Sequence, residues 1–411
     1  MLSRNLARER PLRGTLSVYR KPPTLSYSYD VTLLAAEFHF YPVLDPGTWY
    51  FEFNVFGDAS VGEPYELSLL PVSPRITAEE RAADAAAVDR AVRCSSQLPA
   101  SRAKNDFGRA AEGMVLAALA EGRGGRERRE QLERDYVDWI EGFFRKVEGG
   151  TWRDRDVSLL GTNLYAHTMA TLGLAEAAAI GSAKARALAT RAAEFLIATQ
   201  NTEQKPAHRG GPIGRLAPGH GGWRSTPEGP DADLSILGWA VIALSAVDAA
   251  GIEIDGMREA IAASLGYVGR VGDQNGFGYT NPGGNSNVHN SNGALLLLLH
   301  DESATGLGYA LHHLDRHLWS ATQVDRGDGF PIDDLDYATR AQHLRRGETW
   351  ETWRATALRQ SLRRQNADGS WAAIHDESQP GPRWTTALGL LVLRLCLDEA
   401  PRHLRVEATG F

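Results

Sequence analysis

Six times along the chain a glycine and an aromatic residue, or a close variant of that pair, stand just ahead of an apolar, helix-like stretch. The copies are Asp106-Phe107-Gly108, Gly149-Gly150-Thr151-Trp152, Gly221-Gly222-Trp223, Gly276-Phe277-Gly278, Asp328-Gly329-Phe330 and Asp368-Gly369-Ser370-Trp371. Their aromatic positions are 45, 71, 54, 53 and 41 residues apart. A turn signal that recurs about every fifty residues marks a repeat architecture, with room in each unit for two helices and their turns.

The stretches between the copies are of two kinds. Ser235 to Val247, Gly293 to Leu299 and Ala387 to Leu397 are apolar nearly all round, as helices enclosed on every side must be. Ala185 to Thr199, Arg258 to Val268 and Thr349 to Arg364 are apolar on one face only. Enclosed helices alternating with one-faced helices describe an inner and an outer layer. The expected fold is therefore mainly α: an (α/α)6 double-layered toroid of six degenerate helix-pair repeats over residues 76–411. Its first helix opens on a capping box, Thr77 with Glu80. Residues 1–75 follow another rule: Phe51, Phe53 and Val55 alternate with Glu52 and Asn54, the period of a half-buried strand. A small N-terminal antiparallel β module or arm is expected there, with a partner chain as one cover for its apolar face.

The last repeat reads Gln365-Asn366-Ala367-Asp368-Gly369-Ser370-Trp371 and then Trp384-Thr385-Thr386-Ala387. The third reads Gln200-Asn201, Gly221-Gly222-Trp223-Arg224 and Asp233-Leu234-Ser235. Over about residues 93 to 400 the chain resembles the Gln-to-Trp repeat proteins of the squalene cyclase and protein prenyltransferase superfamily, within it a bacterial prenyltransferase/squalene-oxidase repeat group. That resemblance implies an α/α toroid and, in its cyclase branch, an aspartic acid that protonates an alkene. Asp233, in Pro230-Asp231-Ala232-Asp233, stands at the matching point, but Leu234 replaces the acid that should follow. The zinc set of the prenyltransferase branch is missing, since Cys396, the one late thiol, lies in an apolar run; no metal and no cofactor is expected.

Three functional readings follow. The first is a toroid that binds a small molecule or a partner's peptide segment at its mouth, with Arg209, Arg215, Arg224, Trp239, His289 and Trp384 as candidate contacts. Two loops frame that mouth: Lys205 to Arg224, basic and glycine-rich, which could grip an anion or simply be mobile, and the polar run Asn281 to Asn290. The second reading is an isoprenoid cyclase with Asp233 as proton donor; the plain alternative makes Asp231 or Asp233 an N-cap. The third is a carbohydrate-active barrel with paired carboxylates drawn from Asp231, Asp233, Asp333, Asp334 and Asp336. His167 is a further catalytic candidate on an inner helix, with a hydrogen-bonded core histidine as its alternative. A formal net charge of −7 argues against a nucleic-acid footprint, and no apolar run approaches the length of a membrane span. The two thiols, Cys94 and Cys396, read as buried and reduced, and a cytoplasmic protein is the default expectation.

Overall fold

The computed structural model describes residues 76–97, 106–120, 130–138, 140–141, 163–206, 210–283, 286–316, 332–371, 382–397 and 402–404, together with the backbone of strand segments within residues 1–75. Those strands are β1 (Leu2–Ser3), β2 (Leu12–Arg20), β3 (Thr24–Leu33), β4 (Glu37–Phe38), β5 (Trp49–Phe56) and β6 (Glu66–Leu67). β2 pairs antiparallel with β3 and with β5, and β1 with β4 and β6. The side chains of Phe51, Phe53 and Val55 lie outside the described residues. A further ribbon, β7 (Gly272–Asp273) with β8 (Gly276–Phe277), sits in the helical part, so β structure is not confined to the N-terminus as expected.

The rest is helical: α1 (Ala78–Gln97), α2 (Asp106–Ala120), α3 (Leu164–Ala179), α4 (Ala183–Thr199), α5 (Leu234–Ala249), α6 (Met257–Arg270), α7 (Asn287–Leu299), α8 (Leu307–Arg316), α9 (Ile332–Arg345), α10 (Gly347–Arg364) and α11 (Pro382–Cys396). A π turn covers Glu133–Val137. Caps start the helices where the sequence supplies a short polar residue. Asn163, Ser182, Asp233 and Ser286 each accept a bond from a first-turn amide of α3, α4, α5 and α7. Thr77 and Glu80 exchange both bonds of the capping box at α1.

Packing follows a cyclic order. α2 packs on α3, α3 on α5, α5 on α7, α7 on α9, α9 on α11, and α11 back on α2. α4, α6, α8, α10 and α1 pack against successive members of that cycle from one side. α5 is buried along nearly its whole length, whereas α6 buries one stripe of Met257, Ala260, Ser264, Tyr267 and Val268. That is the division of labour expected of an inner and an outer layer.

The repeat motif makes the joint between units. Trp223 Nε1 donates to the Leu196 carbonyl (2.9 Å) and Trp371 Nε1 to that of Ser361 (3.1 Å), each in the last turns of the preceding outer helix. Gln200 Nε2 donates to Gly221 O (2.9 Å) and to Ala260 O on α6 (2.8 Å). Gln365 Nε2 donates to Gly369 O (3.2 Å) and to Ala87 O on α1 (2.8 Å). The last unit therefore grips α1, at the start of the helical region, in the way the third unit grips α6.

Along the axis of the cycle, side chains from helices two and three steps apart meet. Trp239 of α5 packs on Trp384 of α11 (5.6 Å between ring centres) and on Tyr337 of α9 (5.2 Å), all three buried. Toward the opposite helix ends, the 3-10 turn Arg402–Leu404 packs on α5 and α9.

Candidate functional site

Polar side chains converge where the N-termini of α3, α5 and α7 come together, and backbone bonds hold the ends there. The Leu164 amide that opens α3 donates to Ser225 O (2.8 Å), the Leu234 amide that opens α5 to Tyr279 O (2.9 Å), and the Asp233 amide to Trp223 O (3.1 Å). The loop entering α5 is therefore sewn to both neighbouring units, and Arg224 and Tyr279 are brought face to face.

Arg224 is the hub. Its Nη1 donates to Asp233 Oδ2 (3.1 Å) and its Nε lies 3.4 Å from Asp231 Oδ2. Its guanidinium stands 5.7 Å from the centre of the Tyr279 ring, a cation–π separation. Tyr279 stacks on His289 of α7 (5.3 Å, 22° between planes) and remains 39% exposed. The two acids differ sharply: the Asp233 side chain is 2% exposed and that of Asp231 is 61% exposed. Asp233 also accepts the Ile236 amide (3.0 Å), so it caps α5 and anchors Arg224 together. Burial pushes its carboxyl above the usual range, against the pull of the Ile236 amide, Arg224 and Tyr279. Its oxygens nonetheless face donors, the surroundings of a carboxylate anion rather than of a neutral acid. Burial also raises the phenol of Tyr279, with the Asp233 charge acting the same way, and raises that of Tyr165 on the α3 side.

Lys205 is buried and donates to Asn201 Oδ1 (2.6 Å) and Gly229 O (3.0 Å), while Asn201 Nδ2 donates to Asp231 O (2.7 Å). Arg215 is exposed and paired with Glu203 (2.9 Å). Lys205 and Arg215 are thus tied to residues flanking the loop, while Arg224 turns to Asp231 and Asp233. Arg209 lies outside the described residues.

Other candidates are not at the mouth. His167 is fully buried, with Nε2 2.8 Å from Ala192 O and its ring against Phe195 of α4; it is a core histidine turned toward the outer layer. Asp336 is buried and accepts from Arg340 Nε (2.8 Å) beneath the aromatic layer, away from Asp231 and Asp233. The side chains of Asp333 and Asp334 lie outside the described residues. Trp239 and Trp384 form the buried layer below the mouth rather than an open wall. Among the described residues no cluster of three or more His, Cys, Asp or Glu could hold a metal ion, and no helix is long and apolar enough to cross a membrane. Both cysteines are buried, and neither is in a disulfide.

Tyr279 and Tyr165 were missed in the sequence as site residues. The signal for Tyr279 was its position, two residues after Phe277 and just ahead of the polar loop that begins at Asn281. A separate cleft of about 310 Å³ opens on the outer side between α8, α9 and α10, lined by Asp315, Gln342, Glu348, Thr352 and Trp353 among others.

No family model matches the chain, and no curated protein matches it. The resemblance to squalene cyclases and prenyltransferases therefore rests on the repeat motif alone. Among solved structures, that of a D-mannose isomerase is similar, with a TM-score of 0.50 at 12% identity, covering 79% of this chain and 99% of that one. At that identity the likeness is one of fold.

Proposed function

We propose that the helical part is a closed α/α toroid and that its mouth, at the N-termini of α3, α5 and α7, binds a small polyhydroxylated ligand of the carbohydrate class. The carrying observation is the Arg224 guanidinium held between Asp231 and Asp233 under the exposed ring of Tyr279. A sugar offers an apolar C–H face and vicinal hydroxyls that both donate and accept. The exposed part of the Tyr279 ring suits the first, and the Arg224–Asp231 pair, half open to water, suits the second, because it presents fixed donors beside fixed acceptors. The cyclic packing and the likeness to a D-mannose isomerase, itself named for a sugar, support this reading. A cyclase reading would require Asp233 to be a neutral acid in a dry pocket, whereas it is bonded to an amide and a guanidinium.

Calorimetric titration with D-mannose, D-glucose and D-glucuronate tests the proposal. At least one should bind with a Kd of about 1 mM or tighter, and Tyr279→Ala should weaken it about tenfold, some 1.4 kcal/mol, with the unfolding midpoint unchanged. Absence of binding to any of these sugars, or equal binding by Tyr279→Ala, counts against it.

A further inference from the structure

At the end of the interior away from the mouth lies a buried polar chain that the ligand site does not use. His403 Nδ1 is 3.0 Å from Glu176 Oε1 on α3, and its Nε2 is 3.0 Å from Arg340 Nη1 on α9. Arg340 in turn donates through Nε to Asp336 (2.8 Å). The side chains of all four residues are 5% exposed or less. α3 and α9 stand three steps apart in the packing cycle, so the imidazole bridges opposite walls.

The partners decide the protonation state. A guanidinium has only donors, so Nε2 facing Arg340 must be the bare, accepting nitrogen. A carboxylate has only acceptors, so Nδ1 facing Glu176 must carry the proton. Neutral His403 satisfies both neighbours at once. A proton on Nε2 would set N–H against N–H, and a second positive charge against Arg340, in a site that water does not reach.

We propose that the turn Arg402–Leu404 is a pH-operated latch, tying α3 to α9 while His403 is neutral and letting go when Nε2 is protonated. The charged groups facing it are Glu176 from α3 and Arg340 and Asp336 from α9. α5, which also packs on the turn, carries within its span only Asp248, which lies beside His300. Burial outweighs the rest: together with Arg340 it holds the imidazole below its ordinary value, against the opposite pull of Glu176 and Asp336. The folded state thus binds this proton less readily than the unfolded chain. The latch is fully held above an ordinary histidine pKa of about 6.5 and is lost as pH falls from there toward the depressed folded value.

Hydrogen exchange on the whole protein at pH 7.5 and 5.0, corrected for intrinsic rates, tests this. Protection of the peptide containing His403 and Leu404 should fall at least tenfold at pH 5.0 while that of α5 persists. His403→Gln keeps one donor and one acceptor and cannot titrate, so its protection should not change with pH. In Glu176→Gln, which removes the charge that steadies the imidazolium inside the latch, release at pH 5.0 should be at least as large as in the wild type. A wild-type peptide equally protected at both pH values would overturn the latch. So would a drop that persists in His403→Gln, or a release at pH 5.0 that is smaller in Glu176→Gln than in the wild type.

Discussion

Gly221 and Gly369 each stand two residues before a tryptophan, and each has a positive φ, 79° and 94°. A Cβ on Gly221 would come within 2.2 Å of Ala263 O, and one on Gly369 within 2.4 Å of Arg90 O. Both backbones therefore press on the next outer helix in a conformation open to glycine. Gly369→Ala should cost about 2 to 4 kcal/mol in urea unfolding, since strain and clash add. Asp84 presents a different problem. It is wholly buried in α1, and neither carboxyl oxygen has a hydrogen-bond partner among the described residues. Burial, with Glu80 adding and Arg81 opposing, raises its pKa to about 7. A raised folded pKa means that the folded state holds this proton more tightly than the unfolded chain. Its contribution is most favourable below about pH 4 and declines as pH rises toward 7. Asp84→Asn should gain on the wild type by about 2 kcal/mol between pH 4 and pH 8, read from urea unfolding at each pH. A constant difference would show that Asp84 is charged and solvated at neutral pH.

At the scale of elements, α5 depends on one residue that has two tasks. Asp233→Ala removes the cap and leaves Arg224 with the exposed Asp231 alone; it should cost about 1 to 2 kcal/mol, and Asp233→Asn less than half as much because the amide still caps. Much of this was legible. The pattern Gln, Asn, Gly, aromatic marked the joints between units, and Thr77 and Asp233 could be read as caps, whereas Asn163, Ser182 and Ser286 were not. Asp336 and Arg340 share helical i,i+4 spacing, so their pairing could be read too. What could not be read was every contact set by a loop's path. His403 lies 63 residues beyond Arg340, and nothing in its own surroundings marks it as buried. Tyr279 belongs to no helical period, and its approach to Arg224 depends on the bond from the Leu234 amide to its carbonyl. The cations of the Lys205 to Arg224 loop looked available in sequence because the loop itself holds no acid, and their acceptors Asn201, Glu203, Asp231 and Asp233 lie on either side of it.

Over the whole molecule, the cycle closes without a covalent link between α1–α2 and α10–α11. Gln365 reaches Ala87 O, Arg359 pairs with Glu80 (2.6 Å), Arg383 with Glu112 (2.6 Å), and Arg394 Nη1 donates to Ala118 O. These contacts differ in worth because they differ in access to water. Glu112→Ala strands a buried guanidinium and should cost about 3 kcal/mol or more. Arg359→Ala, on a partly exposed pair, should cost under about 1 kcal/mol. The meeting of Trp239, Tyr337 and Trp384 follows from the same closure, and so escaped a reading made one unit at a time. On the proposed reading closure also bears on function, since it sets an aromatic floor beneath the N-termini of α3, α5 and α7. The most direct test is a crystal structure of the protein soaked with the tightest-binding sugar of the calorimetric series. The sugar should lie on the Tyr279 ring with its hydroxyls bonded to Arg224 and Asp231. A sugar found instead only in the outer cleft beside Asp315, Gln342 and Trp353, with the mouth filled by solvent, would contradict the account.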